Sequence, residues 1–97
     1  MKQKIKFIVE AVRWWDGSNT YHACRITRTR DGKVIKCKLQ YGYGDQYRQT
    51  ALNAMIEAKW LPAKYRKEPY LYERENNYPI NWIVSDGLKR DAIVLAS

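Results

Sequence analysis

The chain is poor in the residues that build catalytic and metal centres. One histidine, His22, and two cysteines, Cys24 and Cys37, accompany ten carboxylates in its 97 residues. Two cysteines and one histidine without close pairing do not make a zinc site. The carboxylates are scattered, mainly in turns and on a helix exterior, and no spacing forces two together for acid–base work. A lone histidine on an inward strand face is usually a hydrogen-bonded structural residue. Tyr41-Gly42-Tyr43-Gly44 precedes a helix like a phosphate loop, but the third glycine and the Gly-Lys-Ser/Thr ending are missing. Its glycines are better read as releasing the chain from a strand. The expectation is a protein that is no enzyme and uses no cofactor or metal.

Long apolar runs are missing too. None approaches the ~20 residues of a membrane span, so no membrane partner is expected. The opening MKQKIKFIVEAV starts like a signal peptide, but Glu10 cuts its apolar stretch and no small-residue cleavage pattern follows. Repeats and low-complexity segments are absent as well. A soluble, cytoplasmic protein of one domain is expected over residues 1–97.

What the chain has in excess is positive charge. The net charge is +8, and residues 1–44 hold ten Lys/Arg against three Asp/Glu, whereas residues 45–97 hold eight against seven. Such a balance favours nucleic acid, an acidic protein surface or anionic lipid, and it also serves solubility.

Period-two alternation predicts strands at about 4–14, 20–30 and 33–43, joined as an antiparallel meander. Asp31-Gly32 predicts a two-residue type I′ turn. That turn sets Arg30 opposite Lys33, Arg28 opposite Ile35, Ile26 opposite Cys37 and Arg25 opposite Lys38. Cys24 and Cys37 are then diagonal neighbours on one face, at or beyond the ~4.4–6.8 Å Cα separation of a disulfide. Both are expected to be reduced and buried, as in an intracellular protein.

Gly42 and Gly44 end the sheet pattern, and Asp45 is placed to cap a helix over about 46–61 that Pro62 terminates. Its Ala-rich stripe suits packing on a sheet. Residues 62–79, with three prolines and four tyrosines, show no sustained period and read as a long loop, packed or used rather than floppy. Strands at about 80–85 and 91–96 follow, with a short C-terminal helix after Asp86 as the competing reading. The fold class is therefore α+β, an antiparallel β-sheet made of a three-stranded meander plus a C-terminal strand or hairpin, packed on one main α-helix.

Within the hairpin register, one face gathers Arg25, Lys36 and Lys38, with Arg28, Arg30 and Lys33 near the tip. Like charges directly opposite destabilise a sheet by up to ~1 kcal/mol, so their retention points to an anionic partner, nucleic acid or a nucleoprotein. Backbone contact is expected rather than base readout, because Tyr21 alone is a thin stacking platform. The competing reading is an ordinary solvated face whose Lys and Arg stems cover apolar surface. Trp14 and Trp15 cannot both face inward. An alternative function is stoichiometric inhibition of another protein, docking through Tyr65, Tyr70, Tyr72, Tyr78 and an exposed Trp60.

Asn19-Thr20-Tyr21-His22, the Arg25–Arg30 run, and Tyr41-Gly42-Tyr43-Gly44-Asp45 followed by Tyr47-Arg48-Gln49-Thr50-Ala51 resemble segments of small phage and prophage accessory proteins. The likeness spans about the first sixty residues. It implies a small viral protein in the host cytoplasm, of the sort that sometimes counters host defence, and transfers no functional residues. The strand–strand–strand–helix order is similar to the later part of a double-stranded-RNA-binding domain. That family's leading helix is absent, and Tyr47-Arg48-Gln49 is not its Lys-rich helix start, so membership does not follow.

Overall fold

The computed structural model describes residues 5–42, 46–67 and 70–96. Lys4, Tyr43, Gly44 and the expected helix cap Asp45 lie outside the described residues. In chain order come β1 (Phe7–Trp15), β2 (Thr20–Arg28), β3 (Val34–Tyr41) and α1 (Gln46–Glu57). A 3₁₀ turn (Ala63–Lys67), α2 (Leu71–Glu75), β4 (Ile80–Asp86) and α3 (Lys89–Leu95) follow. The fold is α+β, around an open four-stranded mixed sheet in the order β3-β2-β1-β4. β1, β2 and β3 pair antiparallel as expected, but β4 joins the free side of β1 in parallel, so the sheet is mixed rather than wholly antiparallel. The helical segments between β3 and β4 carry the chain back to the end of the sheet where β1 starts.

Alternation places the core. Phe7, Val9 and Ala11 of β1 share a face with Cys24 and Ile26 of β2, and Tyr47, Ala51 and Met55 of α1 close over them. The residues between them, Glu10 and Val12 among them, necessarily face the other way. There α3 lies against β1, β2 and β3. Lys89 reaches the Trp14 ring, and Ala23 and Ala92 are fully buried outside the main apolar cluster. Elements therefore flank the sheet on both sides, with α3 over the end remote from the β2–β3 tip.

Both hairpins turn on an aspartate. Asp16 accepts the Ser18 and Asn19 backbone N–H groups at 2.8 and 2.7 Å, and these bonds hold its carboxyl below the usual range. The expected two-residue turn at Asp31-Gly32 is replaced by a four-residue loop, Thr29 to Gly32. The Arg28 N–H donates to Lys33 O, the Gly32 N–H to Arg28 O, and Gly32 adopts φ +74°. Longer hairpin loops of this kind are commonly built on a type I turn. Here Asp31 supports one by accepting the Lys33 N–H at 3.1 Å. The register slides by two, so Arg25 faces Lys36 rather than Lys38, Ile26 faces Ile35, and Cys24 faces Cys37. A slip of two preserves which face each side chain takes. An irregularity between His22 and Cys24 then changes the register again.

Three further expectations are corrected. The segment expected as a strand at 91–96 is helical, the competing reading. Asp91 accepts the Leu88 N–H at 2.9 Å, as a helix-entry carboxylate does, and Ala92 inserts against the sheet. The expected loop at 62–79 contains two short helical pieces, too short for a period to register. The helix expected over 46–61 ends at Glu57, ahead of Pro62. The Lys59 N–H bonds to Ile56 O and the Trp60 N–H to Met55 O, with Lys59 at φ +62°. That is a Schellman termination with lysine where glycine is usual.

Candidate nucleic-acid interface

On the face turned away from α1, Arg25 stands directly between Glu10 of β1 and Lys36 of β3. Lys38 follows Lys36 on the same side, and all three cations are exposed. β3 is an edge strand, so the two lysines have a strand neighbour on the β2 side alone. Arg30 and Lys33 are exposed in the loop, within and just after the turn.

Arg28 departs from its expected role. It follows Cys24 and Ile26 on the inward face, where Nε and Nη2 donate to Asp31 at 3.1 and 2.6 Å. The guanidinium holds the Asp31 carboxyl at about 2. The same group lies 4.5 Å from the Trp60 ring centroid, and Trp60 stacks on Phe7. Arg28 is thus a structural tie between loop and core rather than a member of the outer face.

Sequence reasoning missed what surrounds that tie. Lys6, Arg28, Arg30 and Lys59 line a cleft of about 480 Å³ whose floor is Phe7, Trp60 and Tyr72. Among the described residues no acidic side chain lines it, and Asp31, beside it, is engaged by Arg28. Two of the cations are placed by backbone. Lys6 is fixed by its N–H to Pro79 O at 2.7 Å and by its carbonyl, which accepts the Thr29 N–H at 3.0 Å. Lys59 is swung over by its left-handed turn. The signal available was the Lys59-Trp60 step at the end of α1, a cation and an aromatic together. A second cleft, of about 410 Å³, includes Arg13, Asp86 and Leu88. There Arg13 is paired with Asp86 at 3.1 Å, so this cleft carries less excess positive charge than the first.

The aromatic set expected for protein docking divides. Tyr65 and Tyr72 are core residues, Tyr65 donating its hydroxyl to Glu75 at 2.8 Å and packing edge-on against Tyr72. Burial pushes the Tyr72 hydroxyl up, with Tyr65 adding to the effect. Trp60 is half-buried, while Tyr70 and Tyr78 are exposed. Of the tryptophan pair, Trp15 is exposed and Trp14 half-buried. Beneath Tyr70, Arg48 spans the rings of Tyr70 and Trp82 and reaches the buried Glu73, which also accepts the Trp82 indole N–H.

His22 is fully buried and bonded at both nitrogens. Nδ1–H donates to Gly42 O at 3.1 Å, which leaves Nε2 to accept the Thr50 hydroxyl at 2.7 Å. Both partners are structural, as expected for a lone inward histidine. Among the described residues no cluster of three or more potential metal ligands occurs, and no helix is long and apolar enough to cross a membrane. No family model matches the chain, and comparisons with curated proteins and with solved structures return no match.

Proposed function

We propose that this protein is a small non-enzymatic module that binds nucleic acid, alone or within a nucleoprotein, through the outer face of its β2–β3 hairpin. Lys36 and Lys38 on the edge strand, with Arg25 opposite Lys36, are the central contacts; Arg30 and Lys33 extend them at the tip. The observation that supports this most is the direct pairing of Arg25 with Lys36. Two like charges held in register on a solvated face are unfavourable alone, and a phosphate backbone converts that cost into affinity by releasing counterions. Glu10, on the far side of Arg25, offsets one of the charges and leaves the lysines as the stronger contacts.

Reversing both lysines, K36E/K38E, tests the reading. Both are exposed, so the fold is retained. Affinity for duplex or single-stranded nucleic acid falls about tenfold or more, and the salt slope flattens by about one per lost phosphate contact. Unchanged heparin retention and unchanged gel shifts overturn it. So does copurification of one defined protein that survives nuclease and high salt.

A further inference from the structure

We infer that the cleft beneath the hairpin tip is a nucleoside-phosphate site, sharing Arg30 with the outer face but not Lys36 or Lys38, with the phosphate held by Lys6, Arg30 and Lys59 and the base against the Arg28–Trp60 wall. Three observations converge on it. The first is charge. Four cations border one cleft, Asp31 is the carboxylate paired with one of them among the described residues, and the remaining positive charge favours an anion there. The second is shape. A cleft of about 480 Å³ is in the range of small-ligand sites, and its aromatic floor suits a planar apolar group better than a bare ion. The Arg28 guanidinium lies 4.5 Å from the centre of the Trp60 ring, and an arginine guanidinium is a surface on which unpaired bases stack. The third is placement. The left-handed turn at Lys59 (φ +62°), which ends α1, keeps this cation on the lining of the cleft beside Trp60.

One chemistry has two sources here, a free nucleotide or an unpaired nucleotide of a bound strand. The outer-face reading bears only on the second, so the two proposals fail separately. The test follows the Trp60 indole N–H and the Thr29 amide by NMR while adding adenosine 5′-monophosphate, inorganic phosphate, or a single-stranded deoxyadenylate hexamer. Saturable shifts at both groups with the monophosphate or the hexamer are expected. Both Lys59→Gly and Arg30→Gln weaken binding about fivefold or more, and K36E/K38E leaves monophosphate binding unchanged. Lys59→Gly relieves a left-handed lysine and Arg30 is exposed, so both variants keep the fold. A hexamer that binds more tightly than the monophosphate assigns the site to a strand; the reverse assigns it to the free nucleotide. Inorganic phosphate binding as tightly as the monophosphate overturns the inference. Equal affinity in Lys59→Gly, or shifts at neither group, also overturns it, whatever the gel shifts of K36E/K38E show.

Discussion

Cys24 lies directly across the β2–β3 ladder from Cys37, and both thiols are buried and unbridged. The placement follows from the four-residue loop: with a two-residue turn the pair would be diagonal. Direct antiparallel partners have Cα atoms about 4.5–5.5 Å apart, inside the range a disulfide accepts. The closeness of the thiols splits their acidities. Cys37 is lowered by its neighbour, and Cys24, whose thiol donates to Tyr47 O at 3.7 Å, is pushed up by the adjacent Cys37 and by burial.

The first prediction concerns thiol reactivity. In the native protein a bulky disulfide reagent labels neither cysteine quickly, because access requires opening of the β2–β3 pairing. In denaturant both react at once. As the native protein opens, Cys37 reacts first, being the more acidic and the less completely buried. Stoichiometric labelling within seconds under native conditions contradicts the packing described.

The second prediction is a pH dependence with one source. Burial lowers the folded-state pKa of His22 from its ordinary 6.5. The unfolded chain therefore takes up a proton first as pH falls, and stability is lost from about pH 6.5 downward until the folded imidazole is itself protonated. His22 is the only histidine, so no other side chain titrates ordinarily in that window. Urea midpoints between pH 7.5 and 5.5 decline in the wild type and stay flat in His22→Asn, which is less stable at pH 7.5.

Gly42 supplies the third. It adopts φ +153°, and a Cβ there would lie 2.5 Å from Gln46 Cγ and 2.8 Å from His22 Cε1. Gly42→Ala is expected to cost about 2 kcal/mol or more in denaturant unfolding, from backbone strain and overlap together. Gly32→Ala has no overlap to meet and only its φ of +74° to oppose it, so it costs less. Equal effects at the two sites contradict this account.

Strand alternation was legible because each of β1–β3 has one buried face, and a slip of two leaves that face intact. The turn was harder. Asp31-Gly32 carries a two-residue signature, yet Arg28 draws Asp31 back into a longer loop, and that ion pair depends on Arg28 being anchored over Trp60, thirty-two residues away. The outer cations followed from alternation alone. The inner cleft did not, because Lys6, Arg30 and Lys59 come from three segments joined only by tertiary packing. The C-terminal helix was obscured by Ile93 and Val94, whose β-branching favours strands locally but who remain exposed here.

Lys59 offers the fourth prediction, on stability rather than binding. Glycine at the residue after a helix carries no Cβ penalty in the left-handed region. Lys59→Gly is therefore expected to raise unfolding stability by about 0.5–1 kcal/mol, even as it weakens the nucleoside phosphate. Lys59→Ala removes the charge but keeps the strained Cβ, and leaves stability near the wild type. A denaturant midpoint that drops in the glycine variant shows that the lysine stem is needed for packing.

Glu73 carries the last prediction. Its carboxylate is buried, accepts the Trp82 indole N–H and faces the Arg48 guanidinium at 3.8 Å. Removing one member of such a group strands the others, and breaking a fully buried pair costs ~3–5 kcal/mol. Arg48 retains 28% side-chain exposure, so water compensates part of its loss and about 2 kcal/mol is expected for Glu73→Ala. Glu73→Gln keeps an acceptor for Trp82 and loses only the charge opposite Arg48, so its cost is roughly half as large. Near-equal penalties in the two variants assign the stabilisation to the ion pair; a glutamine variant as stable as the wild type assigns it to the indole hydrogen bond alone. The intermediate result is the one that the geometry of α2 over β4 requires, since the same carboxylate serves both partners.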